Sequence, residues 1–311
     1  MLMVRYQILM KDTFLVLHKL AEEGRHVLSP WRAHVILRRE RDPYYPPEKV
    51  DRVLSRLQRD KLISPIKGKS LFKVTSPYAR QSLNIYELAS EAYPLDILSH
   101  SSALEIHRLT DQRSRVIHLS EGTSSPGTVI KRISRDASDA IVPAGTTIEE
   151  WRTHTLPRRV QMKRYEDFKF KTHRLKDDWV FGHSTSSVQG VSVRCTDVER
   201  TLIDGLKKPS YCGGLSEVFR AWVRSDPDPN RMVNYTERLD QLILYQRVGF
   251  IMEKLGMHHD NFTRWKAEKS PRGGSRVLNP EQDYAPKYSE EWNLSINHPI
   301  SILDTRDTSA S

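Results

Sequence analysis

The sequence predicts an α+β protein in which an N-terminal winged helix-turn-helix is followed by a larger mixed α/β domain. Three observations lead there. The first 78 residues carry three helix-period segments and then a hairpin pattern, the middle of the chain breaks into short strand-like runs, and long helical patterns return after residue 196. The 311 residues divide on this reading into 1–78, 79–297 and a polar tail, 298–311.

Residues Met3 to Glu23 place Ile8, Leu15 and Leu20 at helical spacing and stop before Gly24, with a break allowed near Asp12. Ser29-Pro30 is a helix start: the serine caps free amides and proline at the first helical position loses no bond. A second helix over about 30–40 follows. Asp42-Pro43-Tyr44-Tyr45-Pro46-Pro47 cannot continue it. From Glu48 to Asp60 the residues Val50, Val53, Leu54 and Leu57 share one helix face, and Lys49, Arg52, Arg56 and Arg59 fall on the other. Ser64 to Ile66 and Leu71 to Val74, joined by Lys67-Gly68-Lys69-Ser70, read as a hairpin.

In the larger part, Ser76-Pro77 starts a helix running in pieces through Glu91, and Leu98 to His107 reads as a small-residue helix. Arg115 to Ser120, Ala140 to Val142, Tyr165 to Leu175 and Gln189 to Arg194 read as strands; Phe168 and Phe170 alternate with Lys169 and Lys171, which predicts one dry and one wet face. Thr196 to Glu199 has the pattern of a capping box, and the helix after it sets Val198, Leu202 and Leu206 on a buried face. Arg200 and Asp204 are spaced for a pair worth only about 0.2 to 0.5 kcal/mol. Helices follow at Leu215–Val223 and Tyr235–Leu255, with a Pro-rich loop at Asp226–Asn230 between them and a last strand at Trp292–Ile296.

Charge is distributed unevenly. The chain carries 49 Lys/Arg against 39 Asp/Glu, a net +10, yet residues 1–78 alone hold 16 against 8 and the remaining 233 only 33 against 31. A small cationic module is expected to face a polyanion. Lys49 and Arg52, in the N-terminal half of the third helix, are the candidates for base contacts, and Arg56, Arg59, Lys67 and Lys69 for phosphates. Residues 157–176 add eight Lys/Arg against two acids. This stretch, with Arg158, Arg159, Lys163, Lys169 and Lys171, is either a second nucleic-acid or partner surface or an edge strand whose lysines discourage pairing with other chains.

Other classes are excluded or weakly supported. No apolar run approaches the length a membrane span needs. Two cysteines, Cys195 and Cys212, and no leader pattern favour the cytoplasm. No cofactor is expected, since Walker and Rossmann glycine patterns are absent, and Arg272 to Ser275 reads as a mobile turn. No metal site is expected either: there is no HExxH, and the adjacent His258, His259 and Asp260 point different ways on a helix. Ser216 with Asp226 and Asp228 looks superficially like a nucleotidyltransferase set, but Pro227 and Pro229 forbid the strand those acids would need. No catalytic residue is assigned. A nucleic-acid-processing enzyme, with the winged module as its delivery arm, stays as the alternative.

Several phrases together resemble one family: the winged N-terminus, Ser101-Ser102-Ala103-Leu104 with Thr110-Asp111-Gln112, and above all Val193-Arg194-Cys195-Thr196-Asp197-Val198-Glu199-Arg200-Thr201-Leu202-Ile203-Asp204. Gly213-Gly214, Arg247 to Glu253 and Trp292-Asn293-Leu294 continue it. They resemble the AbiEi-type antitoxins, regulators of abortive-infection (type IV) toxin–antitoxin pairs used in phage defence. The resemblance implies a non-enzymatic autorepressor that binds inverted repeats in double-stranded operator DNA. It also implies a C-terminal domain that neutralises, directly or indirectly, a nucleotidyltransferase toxin encoded beside it, with Arg200 and Asp204 structural or partner-facing. The chain departs from the usual pattern at Arg108, where a glycine commonly follows the histidine, and in its Pro-rich entry to the third helix.

Overall fold

The computed structural model describes residues 2–68, 70–75, 83–122, 141–148, 159–268 and 276–308. Lys69, Arg158, the start of a helix at Ser76 and the turn at 272–275 lie outside the described residues. The chain forms two compact units. The first comprises Met1–Asp96, Thr123–Phe170 and Thr185–Arg194, and the second Ile97–Gly122, Lys171–Ser184 and Cys195–Ser311.

The first unit begins with α1 (Leu2–Glu22), which is unbroken at Asp12, then β1 (Val27–Leu28), α2 (Pro30–Glu40), α3 (Pro47–Arg59), β2 (Ile63–Lys67) and β3 (Leu71–Val74). The Ser29 side chain accepts from the Arg32 amide and so caps α2. Apolar residues from α1, α2, α3 and the hairpin close one core around Val16, Leu20, Ile36, Leu37, Val53 and Leu57. The three strands run in the order β1-β3-β2, all antiparallel. Helix α4 (Ile85–Ala92) completes this part, and Asn84 caps it by accepting from the amides of Tyr86 and Glu87.

Two carboxylates of α4 hold the N-terminal segment from inside. Glu87 Oε1 accepts the amides of His26 and Val27 at 2.7 and 2.8 Å. Glu91 accepts from the Ser29 hydroxyl at 2.6 Å and from Arg32 at 3.1 Å, with Arg25 3.9 Å away. Arg25 and Arg32 are both 2 % exposed, and both also donate to the Ala144 carbonyl.

The sequence between Leu98 and His107 divides instead of forming one helix: β4 (Ile97–Leu98), a bend at Ser99-His100, and α5 (Ser101–Ile106). His100 sits at φ 53, ψ −129, outside the regions that non-glycine residues favour. Arg108 has φ 60, the left-handed conformation that a glycine adopts without penalty. The strands β5 (Val116–Glu121), β6 (Arg164–Tyr165), β7 (Phe168–Arg174), β8 (His183–Val188) and β9 (Val191–Thr196) join β4 in one sheet of order β6-β7-β5-β4-β9-β8. β4 pairs antiparallel with β5 and parallel with β9 through Leu98 and Cys195. Tyr165 to Leu175 is thus two strands around the turn at Glu166-Asp167. Phe168 and Phe170 are only half-buried, while Lys169 and Lys171 are exposed. Ile141 and Val142 are buried but belong to no strand.

The helices α6 (Val198–Lys207), α7 (Leu215–Arg224), α8 (Pro229–Leu239), α9 (Leu242–Lys254) and α10 (Asn261–Ala267) carry the core of the second unit. The cap of α6 is Asp197, whose carboxylate accepts from the Arg200 amide; Thr196 instead bonds Thr201, and Glu199 accepts from the Asp228 amide and from Arg231. Arg200 and Asp204 form an ion pair at 3.0 Å with both side chains buried, so α6 is enclosed on almost every side and is not a two-faced helix. Tyr235–Leu255 is broken at Asp240, which turns through φ 48. The Trp292 ring lies on Gly249, where an added Cβ would stand 2.1 Å from it. The last strands are β10 (Tyr288–Ser289) and β11 (Leu294–Ser295), so Trp292 precedes the strand. The polar tail is anchored as well: Ser301–Thr308 forms a 3-10 helix whose Leu303 is buried in the core. No helix among the described residues is long and apolar enough to cross a membrane.

Candidate nucleic-acid interface

Helix α3 is presented by its own apolar stripe. Val50, Val53, Leu54 and Leu57 are all buried, which turns the remaining face to solvent. The Pro-rich entry is pinned by Tyr45: its ring is buried, its hydroxyl donates to Asp12 at 2.7 Å, and His34 Nε2 lies 2.8 Å from its carbonyl. Pro46 offers no side-chain cap, and Pro47 fixes the first turn.

Of the four cations on α3, Lys49, Arg52 and Arg59 are exposed. Arg52 and Arg59 have no ion-pair partner among the described residues. Lys49 Nζ lies 5.9 Å from the centroid of the Tyr45 ring. Arg56 is half-buried and bound to Asp60 at 2.5 Å, so it offers less free charge than its neighbours. Lys67 is exposed at the end of β2, next to the hairpin turn. The acids Glu48 and Asp51 line a groove of about 880 Å³ beside the first turn of α3, together with Trp31, His34, Lys67 and Arg159. That groove carries both signs of charge, and Glu48 and Asp51 are exposed on α3 alongside Lys49, Arg52 and Arg59.

The second basic stretch separates into unlike parts. Arg159 is bound to the buried carboxylate of Asp96 at 2.5 Å and lies over the Tyr93 ring. Lys163 and Lys169 are exposed near the β6–β7 turn. Lys171 belongs to the second unit, with Nζ 4.0 Å from the centroid of the Tyr211 ring.

The residues with a superficially catalytic pattern make local contacts. Asp228 caps α8 by accepting the amides of Asn230 and Arg231, and Ser216 Oγ lies 2.8 Å from His298 Nε2. His259 Nδ1 accepts the Asn261 amide.

Among the described residues one group has the spacing to hold a metal ion: His100, His118 and His173, each with a ligand atom within 4.8 Å of the others. His118 Nδ1 lies 2.8 Å from His173 Nε2, and all three rings pack on Tyr211 with centroids 4.6 to 5.3 Å away. Burial pushes His100 down to about 4 and His118 to about 3, and lowers His173 as well. The bend before α5 supplies His100, and β5 and β7 supply the others; their sequence separation follows no ligand motif, and only the sheet order brings them together.

The α+β fold has a counterpart among solved structures, while no protein-family model and no curated protein matches the chain. The crystal structure of the Rv2827c protein from Mycobacterium tuberculosis is similar over 96 % of this chain and 95 % of that one, with a TM-score of 0.50 and 12 % identity. At that identity the likeness is one of fold.

Proposed function

We propose that this protein is a DNA-binding regulator of the AbiEi antitoxin type. In this reading residues 1–78 act as a winged helix-turn-helix that represses the protein's own operon, and residues 79–297 neutralise a nucleotidyltransferase toxin. The observation that carries the DNA half is the outer face of α3, which holds Lys49, Arg52 and Arg59 in solvent on a helix seated by four buried apolar residues. An α-helix of this kind fits the major groove, and the β2–β3 hairpin brings Lys67 to the flanking phosphates. The antitoxin half rests on the sequence resemblance, centred on Val193 to Asp204. Because Arg200 and Asp204 are buried in α6, they maintain the fold in this reading, and the toxin-facing surface lies elsewhere.

A gel-shift titration against the DNA upstream of the protein's own reading frame, repeated over a range of salt, tests the first half. Replacing Arg52 and Arg59 by alanine is expected to weaken binding and to flatten the plot of log affinity against log salt by about 0.9 for each phosphate that is no longer neutralised. Arg56→Ala should do less, since Asp60 already holds that guanidinium. Unchanged affinity and slope in the double variant would remove α3 from the interface. Inspection of the adjacent reading frames and co-expression with a nucleotidyltransferase encoded there test the second half: restored growth is expected, and the absence of such a frame or failure to restore growth overturns the antitoxin assignment.

A further inference from the structure

We infer that His100, His118 and His173 form a binding site for a divalent cation of the zinc class, with a coordination position left open to a small polar cavity. Imidazole nitrogen is the ligand such borderline ions prefer, and three protein ligands with a free fourth position is the arrangement of sites that keep an exchangeable water or anion.

The ligands are close to the required geometry. At a Zn–N distance of 2.0–2.1 Å, tetrahedral ligand atoms stand about 3.3 Å apart. The distance between His118 Nδ1 and His173 Nε2 is 2.8 Å, and no pair in the group exceeds 4.8 Å. An ion would replace the shared proton of that hydrogen bond, opening it by about half an ångström and drawing the third ring in.

Supporting groups fix the rings as second-layer partners of metal ligands do. The Ser99 hydroxyl lies 2.9 Å from His100 Nδ1, and Ser120 donates to Ser99 at 3.0 Å. Tyr211 walls one side, stacked on His173 at 4.6 Å and on His118 at 5.2 Å. His100 is also held in a rare backbone conformation, and such strain persists where surrounding structure imposes it.

A cavity of about 190 Å³ adjoins the group, lined by His118 with Ser101, Gln112, Tyr211 and Cys212. The buried Ser101 Oγ has no hydrogen-bond partner among the described residues. Space for a water or a small oxyanion therefore adjoins a ligand ring.

The full-length chain, stripped with a chelator and dialysed against Zn²⁺ or Co²⁺ alone, tests the site. Elemental analysis is expected to find one ion per chain, and Co²⁺ to give the visible absorption of a low-coordinate nitrogen site. X-ray absorption of the Zn²⁺ form should show a nitrogen/oxygen shell with the multiple scattering of imidazole. His173→Ala and His118→Gln should each weaken binding by more than about 100-fold, beyond the 10- to 100-fold that loss of a supporting group costs. His34→Ala, in the first unit, should leave metal binding unchanged, and an unaltered circular dichroism spectrum and urea midpoint report that each variant is folded. No ion held at about 100 µM free metal, or equal binding by wild type and both variants, overturns the site and leaves a hydrogen-bonded imidazole pair. A zinc shell containing sulfur overturns it without recourse to any variant.

Discussion

Glu87 shows how much one side chain can depend on its surroundings. It is fully buried, one oxygen takes the two amides before and within β1, and the other has no hydrogen-bond partner among the described residues. Burial raises its carboxyl to about 7, opposed by the two amides and by Arg25 and assisted by Glu91. A carboxyl with a raised folded-state value binds its proton more tightly when folded. Its contribution is therefore complete below about 4.5 and is lost as pH rises through 7. Denaturant titrations should accordingly show Glu87→Gln gaining on the wild type between pH 4 and pH 8, by up to about 3 kcal/mol. A difference that stays flat across that range would refute the assignment. Nothing in the sequence distinguishes Glu87 from a surface acid of an amphipathic helix, because its role depends on a strand edge about sixty residues earlier. Lys49 and Arg52 were legible for the opposite reason: their exposure follows from the apolar stripe of their own helix.

At the scale of elements, local signals located helices well and failed where tertiary contacts overrode them. The start of α2 follows from Ser29-Pro30, since backbone chemistry alone dictates it, whereas α3 begins at Pro47, one residue before the expected Glu48. The cap of α6 moved one residue, because Glu199 is drawn away by Arg231 and the Asp228 amide. Spacing suggested a weak surface pair for Arg200 and Asp204, but the pair is enclosed. Burial alone would raise the Asp204 carboxyl, yet Arg200 and Lys207 outweigh it and hold the group below its usual range. Arg200→Ala should therefore cost about 3–5 kcal/mol by leaving that carboxylate unpaired. A double replacement of both residues by apolar side chains of similar volume should cost much less. Equal losses in the two variants, measured by urea denaturation, would mean that packing and not charge holds α6. The site of the three histidines escaped sequence reading altogether, since a bend and two strands must be placed side by side before their nitrogens meet.

For the molecule as a whole, the uneven charge was readable from composition, and so was the mixture of helix and sheet. The makeup of the first unit was not, because it draws on segments far apart in the chain. Arg25 and Arg32 lie inside it, matched by Glu91 and the Ala144 carbonyl. A fragment ending at residue 78 lacks both partners and should unfold at lower urea than one ending at residue 96, which regains Glu87 and Glu91. Coincident midpoints for the two fragments would show that the α4 carboxylates contribute nothing.

The same interleaving sets a schedule for synthesis. Residues 185–194 belong to the first unit, so a ribosome adding about 5–20 residues per second spends roughly 5 to 20 s between delivering α4 and delivering the last piece. Translation itself therefore imposes a minimum age on any finished copy of that unit, however fast its early helices assemble.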